Sequence, residues 1–159
     1  MRKALTIFTM IQLVVLVGCV SQYNVHIKAG TYRSITDETY TLGEVLVIEK
    51  ITIVLTEINE DDFESANNIN VIEDKSNNKY FNITVYIKEQ GLDELTCEIT
   101  YKPSTGGSSP NSYQMTLRYP REDYITIDLQ LTLSDEGKNE FYLSMNVENG
   151  HVRPLLKLE

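Results

Sequence analysis

Along most of the chain, apolar and polar residues change places at every second position. Phe81, Ile83, Val85 and Ile87 alternate with Asn82, Thr84 and Tyr86, and Tyr113, Met115, Leu117 and Tyr119 alternate with Gln114, Thr116 and Arg118. Ile125 to Leu133 and Phe141 to Val147 repeat the pattern. A period of two puts one set on each face of a strand, and a polar opposite face marks a sheet with one side in water. Strands of this kind are antiparallel, since parallel sheets are covered on both sides. Tyr40 to Ile58 reads as two more strands, with a slip of apolar phase near Glu49-Lys50 that predicts a tight turn or a bulge. Asn67 to Asp74 reads as a further short strand.

Turn chemistry separates these runs. Asn149-Gly150 is a strong hairpin signal, and Tyr119 to Asp123, Ser134 to Asn139 and Lys88 to Glu94 suit short loops. Residues 102–112, KPSTGGSSPNS, form the longest connection. One short helix is expected near 60–67, over Asn59 to Ala66: Asn59 offers a cap, and Glu60, Asp61 and Asp62 complement the helix dipole in the first turn. These acids lack the ligand spacing of a calcium loop. Eight to ten strands joined by short hairpins pair with their neighbours. The expected fold is therefore an all-β antiparallel meander. Closure, complete or nearly so, into a barrel hides its edges, with a β-sandwich as the alternative.

The first residues follow a different rule. Arg2 and Lys3 precede a charge-free run, Ala4 to Val17, too short for the roughly 20 apolar residues of a membrane-spanning helix. A basic start, a short apolar middle and small residues after it make a secretory signal. The run ends in Leu16-Val17-Gly18-Cys19, which resembles the lipobox of bacterial lipoproteins. The resemblance implies that residues 1–18 are a signal peptide and that the Cys19 thiol carries a diacylglyceryl group. Residues 19–29 then tether the membrane-bound cysteine to one β domain, 30–159. Two acyl chains anchor a protein stably without further help. The expected location is the outer leaflet of the cell membrane, or the outer membrane, outside the cytoplasm.

Charge agrees with such an anchor. Loss of Arg2 and Lys3 leaves 12 basic against 23 acidic residues and takes the formal charge from −9 to −11. A chain so acidic is repelled by nucleic acid, which is excluded as a partner. Cys97 is then the only free thiol, on a strand face with Leu95 and Ile99, and reads as a small buried hydrophobe.

Gly30-Thr31-Tyr32 resembles the Gly-x-Trp opening of lipocalin-like (calycin) barrels, with tyrosine in place of tryptophan. In that family an arginine near the last strand packs over the aromatic ring, a role the resemblance gives to Arg153. The catalytic inventory is thin. The two histidines, His26 and His151, lie in the tether and beside a turn, and no Gly-x-Ser-x-Gly accompanies them. No catalytic residue, metal ligand or cofactor is assigned. Binding is the expected role, of a small apolar ligand held in the barrel or of an envelope protein. An envelope hydrolase and an assembly lipoprotein are the alternatives. Tyr101 and Tyr113 flank the 102–112 loop and are the candidate ligand contacts at one barrel mouth. Tyr86 and Tyr142 stand on the polar faces.

Overall fold

The computed structural model describes residues 26–35, 39–44, 46–65, 69–75, 77–100, 104–105, 112–123, 125–133, 139–148 and 150–159. Cys19, the lipobox and Tyr101 lie outside these. The described strands are β1 (Gly30–Ser34), β2 (Tyr40–Leu42), β3 (Leu46–Ile58), β4 (Val71–Asp74), β5 (Lys79–Glu89), β6 (Glu94–Ile99), β7 (Ser104–Thr105), β8 (Ser112–Tyr119), β9 (Ile125–Leu133), β10 (Glu140–Val147), β11 (Gly150–Val152) and β12 (Leu155–Leu158). One helix, α1 (Glu60–Ser65), joins β3 to β4.

Eight of the strands close a ring in the order β1, β3, β5, β6, β8, β9, β10, β12 and back to β1. Every pairing is antiparallel. Each ring strand lies beside the next one in sequence, so the chain is an up-and-down barrel and not a sandwich. This closed, eight-stranded architecture is consistent with a lipocalin-like fold. β2, β4, β7 and β11 are short side strands on β3, β5, β8 and β10. The barrel has two unlike ends. At the terminal end β1 begins, β12 finishes and α1 sits; at the far end lie β2, β11 and the β5–β6 and β8–β9 turns.

The local expectations meet definite structures. Tyr40 to Ile58 divides into two strands, one ending at Leu42 and the next beginning at Leu46, while the phase slip is a bulge inside β3, between Ile48 and Lys50. The bulge restores phase, so Leu46 and Ile48 face inward together with Ile51, Ile53 and Leu55. Asn59 caps α1: its Oδ1 accepts from the Asp62 N–H at 2.7 Å, and its carbonyl accepts from the Phe63 N–H at 3.1 Å. Phe63 stacks on Tyr80, ring centroids 4.2 Å apart, and holds the helix to β5.

The inward side chains of the ring form one cluster. Ile53, Val85, Leu117, Ile127, Phe141 and Leu156, from six different strands, each have 0 % of their surface accessible. A lumen able to admit even one water would leave surface on such side chains. The middle of the barrel is therefore packed, as eight strands enclose only about the width that their own side chains fill. Cys97 belongs to this core, and burial pushes its thiol up to about 12.

β12 has no counterpart among the expected strands. It is four residues long and follows Pro154, yet it closes the barrel, pairing with β10 on one side and β1 on the other. Gly30 meets it there. Its φ of +147° suits only glycine, and a Cβ would stand 2.4 Å from Cδ1 of Leu158. Two residues on, Tyr32 packs edge-on against Phe141, centroids 4.7 Å apart at 69°, and its hydroxyl donates to the Lys28 carbonyl at 2.8 Å. Arg153 does not cover this ring. It is exposed at the far end, where its Nε donates to His151 Nε2 at 2.8 Å. Among the described residues, the aromatic contact of the Tyr32 ring is with Phe141.

Burial raises the Tyr32 phenol to about 12. An unfolded tyrosine ionises near pH 10. Between these values the unfolded chain binds fewer protons than the folded one, so stability falls as pH rises. The buried Cys97 thiol starts a decline in the denaturant midpoint from about pH 8.5, and Tyr32 is expected to steepen it from about pH 10 towards pH 12. Tyr32→Phe should make that decline shallower; a slope unchanged in the variant would remove Tyr32 as its source.

Gly150 shows how the far end is sealed. Val147 pairs with Gly150, the first residue of β11. A Cβ on Gly150 would stand 2.2 Å from the backbone nitrogen of Gly43 and 2.8 Å from the carbonyl carbon of Leu42. Backbone cannot swing aside as a side-chain tip can. Gly150→Ala is expected to cost about 2–3 kcal/mol, the upper part of the overpacking range, read as a lower urea midpoint at unchanged m-value. An unshifted midpoint would mean that β2 and β11 are not in contact.

Candidate functional site at the far rim

Two arrangements occupy the far end. The first is a charge pair at the barrel mouth. Glu89 continues the inward series Phe81, Ile83, Val85, Ile87, and its side chain is only 8 % exposed. Tyr119 ends the inward series of β8, and Arg121 follows in the β8–β9 turn. Arg121 Nη2 reaches Glu89 Oε1 at 2.5 Å, and the Tyr119 hydroxyl donates to Oε2 at 3.4 Å. Burial, and then the Glu89 charge, raise the Tyr119 phenol, which therefore stays a protonated donor. Both oxygens of Glu89 are thus engaged. The group bridges β5 to β8 and its turn, and it offers no free base.

Removing Arg121 leaves a buried carboxylate with one long hydrogen bond. Arg121→Ala is expected to cost about 2–3 kcal/mol, below the full price of breaking a buried pair because Arg121 itself is partly exposed. In the Glu89→Gln background the same substitution should cost clearly less. Equal costs in a double-mutant cycle would show that the two side chains do not interact.

The second arrangement is a cleft of about 550 Å³ beside the mouth, lined by Leu42, Ile125, Thr126, Asp128, Asn146, Val147 and Glu148. Leu42, Ile125 and Val147 come from the apolar phase of their strands; Ile125 and Val147 are half-buried and give it an apolar floor, while Leu42 is fully buried. Thr126, Asp128 and Asn146 come from the outer faces of β9 and β10, where Asp128 and Asn146 lie directly opposite each other. The wall is fixed by bonds to its neighbours. Thr116 Oγ1 donates to Asp128 Oδ1 at 3.0 Å. His151 Nδ1 bonds Asn146 Oδ1 while its Nε2 accepts from Arg153. Among the described residues, the hydrogen bonds of His151 go to an amide and a guanidinium.

The remaining sequence candidates lie elsewhere. Tyr113 is at the terminal end with its ring buried and its hydroxyl donating to the Glu73 carbonyl at 3.1 Å. Burial foremost, then the charges of Asp74 and Glu73, push its phenol well above the usual tyrosine range. Its partner in that expectation, Tyr101, lies outside the described residues. His26 is exposed ahead of β1, and Tyr142 is about half exposed on the outer wall. Among the described residues no group of three or more His, Cys, Asp or Glu side chains is placed to hold a metal. No described helix is long and apolar enough to cross a membrane.

The mouth pair was readable in principle: Glu89 and Arg121 extend apolar period-two series with a charge, and a charge in an inward phase needs a partner. The cleft carries no such mark, because Thr126, Asp128 and Asn146 look like any solvated strand face. Neither a protein-family model, nor a curated protein, nor a solved structure matches this chain.

Proposed function

We propose that the protein is a lipid-anchored binding protein of the bacterial cell envelope, and that it engages a segment of an envelope protein at the far-rim cleft instead of carrying a ligand in its lumen. The observation that carries the second half is the contrast between a lumen whose central side chains have no accessible surface and a cleft of about 550 Å³ just outside it. The lipobox resemblance of Leu16-Val17-Gly18-Cys19 supports the first half. The cleft joins an apolar floor to polar walls, the combination that recognises a short protruding segment by burial and orients it by hydrogen bonds. A small molecule in the same cleft is the second reading, favoured by a volume inside the roughly 300–1,000 Å³ of ligand pockets.

The test is a photo-crosslinking residue placed at Thr126 or Glu148, with Gln114 on the outer wall of β8 as the control, in the full chain in cells. A discrete protein adduct from the two rim positions and none from Gln114 is expected. Adducts of equal strength from all three positions would contradict a rim site. A small molecule displacing the adduct would favour the second reading.

A further inference from the structure

The segment ahead of β1 is not loose. Ile27 is 4 % exposed and belongs to the core cluster. Its N–H donates to Asp74 Oδ2 at 3.2 Å across 47 residues of sequence. Asp74 is itself 4 % exposed and is held by Asn77 Nδ2 at 2.7 Å on the same oxygen. Lys28 is fixed in turn by the Tyr32 hydroxyl. The chain therefore leaves the barrel from a docked point at the terminal end, not from β1.

From this we infer that residues 26–29 form a strap that turns the terminal end of the barrel toward the lipid bilayer and presents the far rim, with its cleft, away from it. The inference rests on the anchor proposed above. Seven residues, and so eight residue steps, separate Cys19 from Ile27 and span at most about 28 Å. β5, 11 residues long, rises about 36 Å along itself and about 28 Å along the barrel axis at the usual tilt of about 40°. A tether bound at Ile27 can therefore bring the far rim to the bilayer only when stretched to its full length, which forfeits its conformational entropy. Without the strap, the three further residues to Gly30, where β1 begins, would lengthen the tether by about 10 Å and supply the slack for the barrel to lie over. The terminal end is the membrane-facing surface, and its partner is the headgroup layer.

The experiment uses the full acylated chain in vesicles that carry a headgroup quencher. Single labels are placed on Lys75→Cys, exposed at the terminal end, and on Asp93→Cys, exposed in the β5–β6 turn of the far end. The native Cys97 is buried and its thiol is raised to about 12, so it does not compete for label. The Lys75→Cys label is expected to be quenched several-fold more than the Asp93→Cys label. Asp74→Ala, which frees Ile27, should shrink that difference. A flexible ten-residue insertion between Gln22 and Tyr23 should do the same while leaving the barrel intact. Equal quenching of the two labels in the acylated wild-type background, or stronger quenching at Asp93→Cys, overturns the inference. The mass of the N-terminal peptide is read from the same sample: a chain without acyl mass refutes the anchor, whereas an acylated chain without the gradient refutes the strap alone.

Discussion

Phe141→Ala is expected to be among the most damaging single changes in the β domain, at about 3–5 kcal/mol. The ring is fully buried between β9 and β12, opposite Leu133 and Leu156, and its edge-on contact with Tyr32 joins the last long strand to the first. Truncation removes the transfer energy of the ring and opens a cavity where β12, only four residues long, holds the barrel closed. Loss of the aromatic pair adds up to about 1 kcal/mol. Against a total stability of about 5–15 kcal/mol, that is a large fraction. Tyr142, the next residue, points outward, and Tyr142→Ala should lie within about 0.5 kcal/mol of the parent. Urea unfolding of the two variants measures both. A larger loss from Tyr142→Ala than from Phe141→Ala would mean that the strand has the opposite phase.

Cys19→Ala is expected to take fatty-acyl labelling of the chain from full to background. The thiol is the only side-chain group in the Leu16–Cys19 stretch nucleophilic enough to accept the diacylglyceryl group. By the lipobox pattern, cleavage before residue 19 follows acylation, so the variant should also run heavier by its 18-residue leader. Acyl label and electrophoretic mobility are read from the same cells. Fractionation alone would mislead, because an uncleaved apolar leader can hold the precursor at the membrane. Label retained in Cys19→Ala, or a mature mass without acyl chains in the parent, would contradict the anchor.

Much of the barrel was legible because its long strands each carry their own period-two signal, and burial of one face fixes their phase. The Glu49-Lys50 slip and the Asn59 cap were equally local features, and both have structural counterparts. What local pattern cannot show is closure. β12 consists of Leu155-Leu156-Lys157-Leu158 after a proline, too short for a periodic signal, and its pairing with β1 joins opposite ends of the sequence. The need for glycine at Gly150 was hidden for the same reason: Asn149-Gly150 announces a hairpin, but the close neighbour is Gly43, more than a hundred residues away. At the rim, Glu89 and Arg121 broke their apolar series in a way that has physical meaning, whereas the cleft exists only because outer faces of β9 and β10 meet the β2 turn. Recognition surfaces built from ordinary solvated residues leave no trace in one sequence.

The central claim is that the barrel is solid and works from its outside. A crystal structure of the protein under xenon pressure tests it most directly, since xenon enters dry apolar cavities and marks them with strong density. The account predicts no xenon and no lipid density among Ile53, Val85, Leu117, Ile127, Phe141 and Leu156. A xenon atom or an acyl chain resolved between those side chains would contradict it and return the binding site to the lumen.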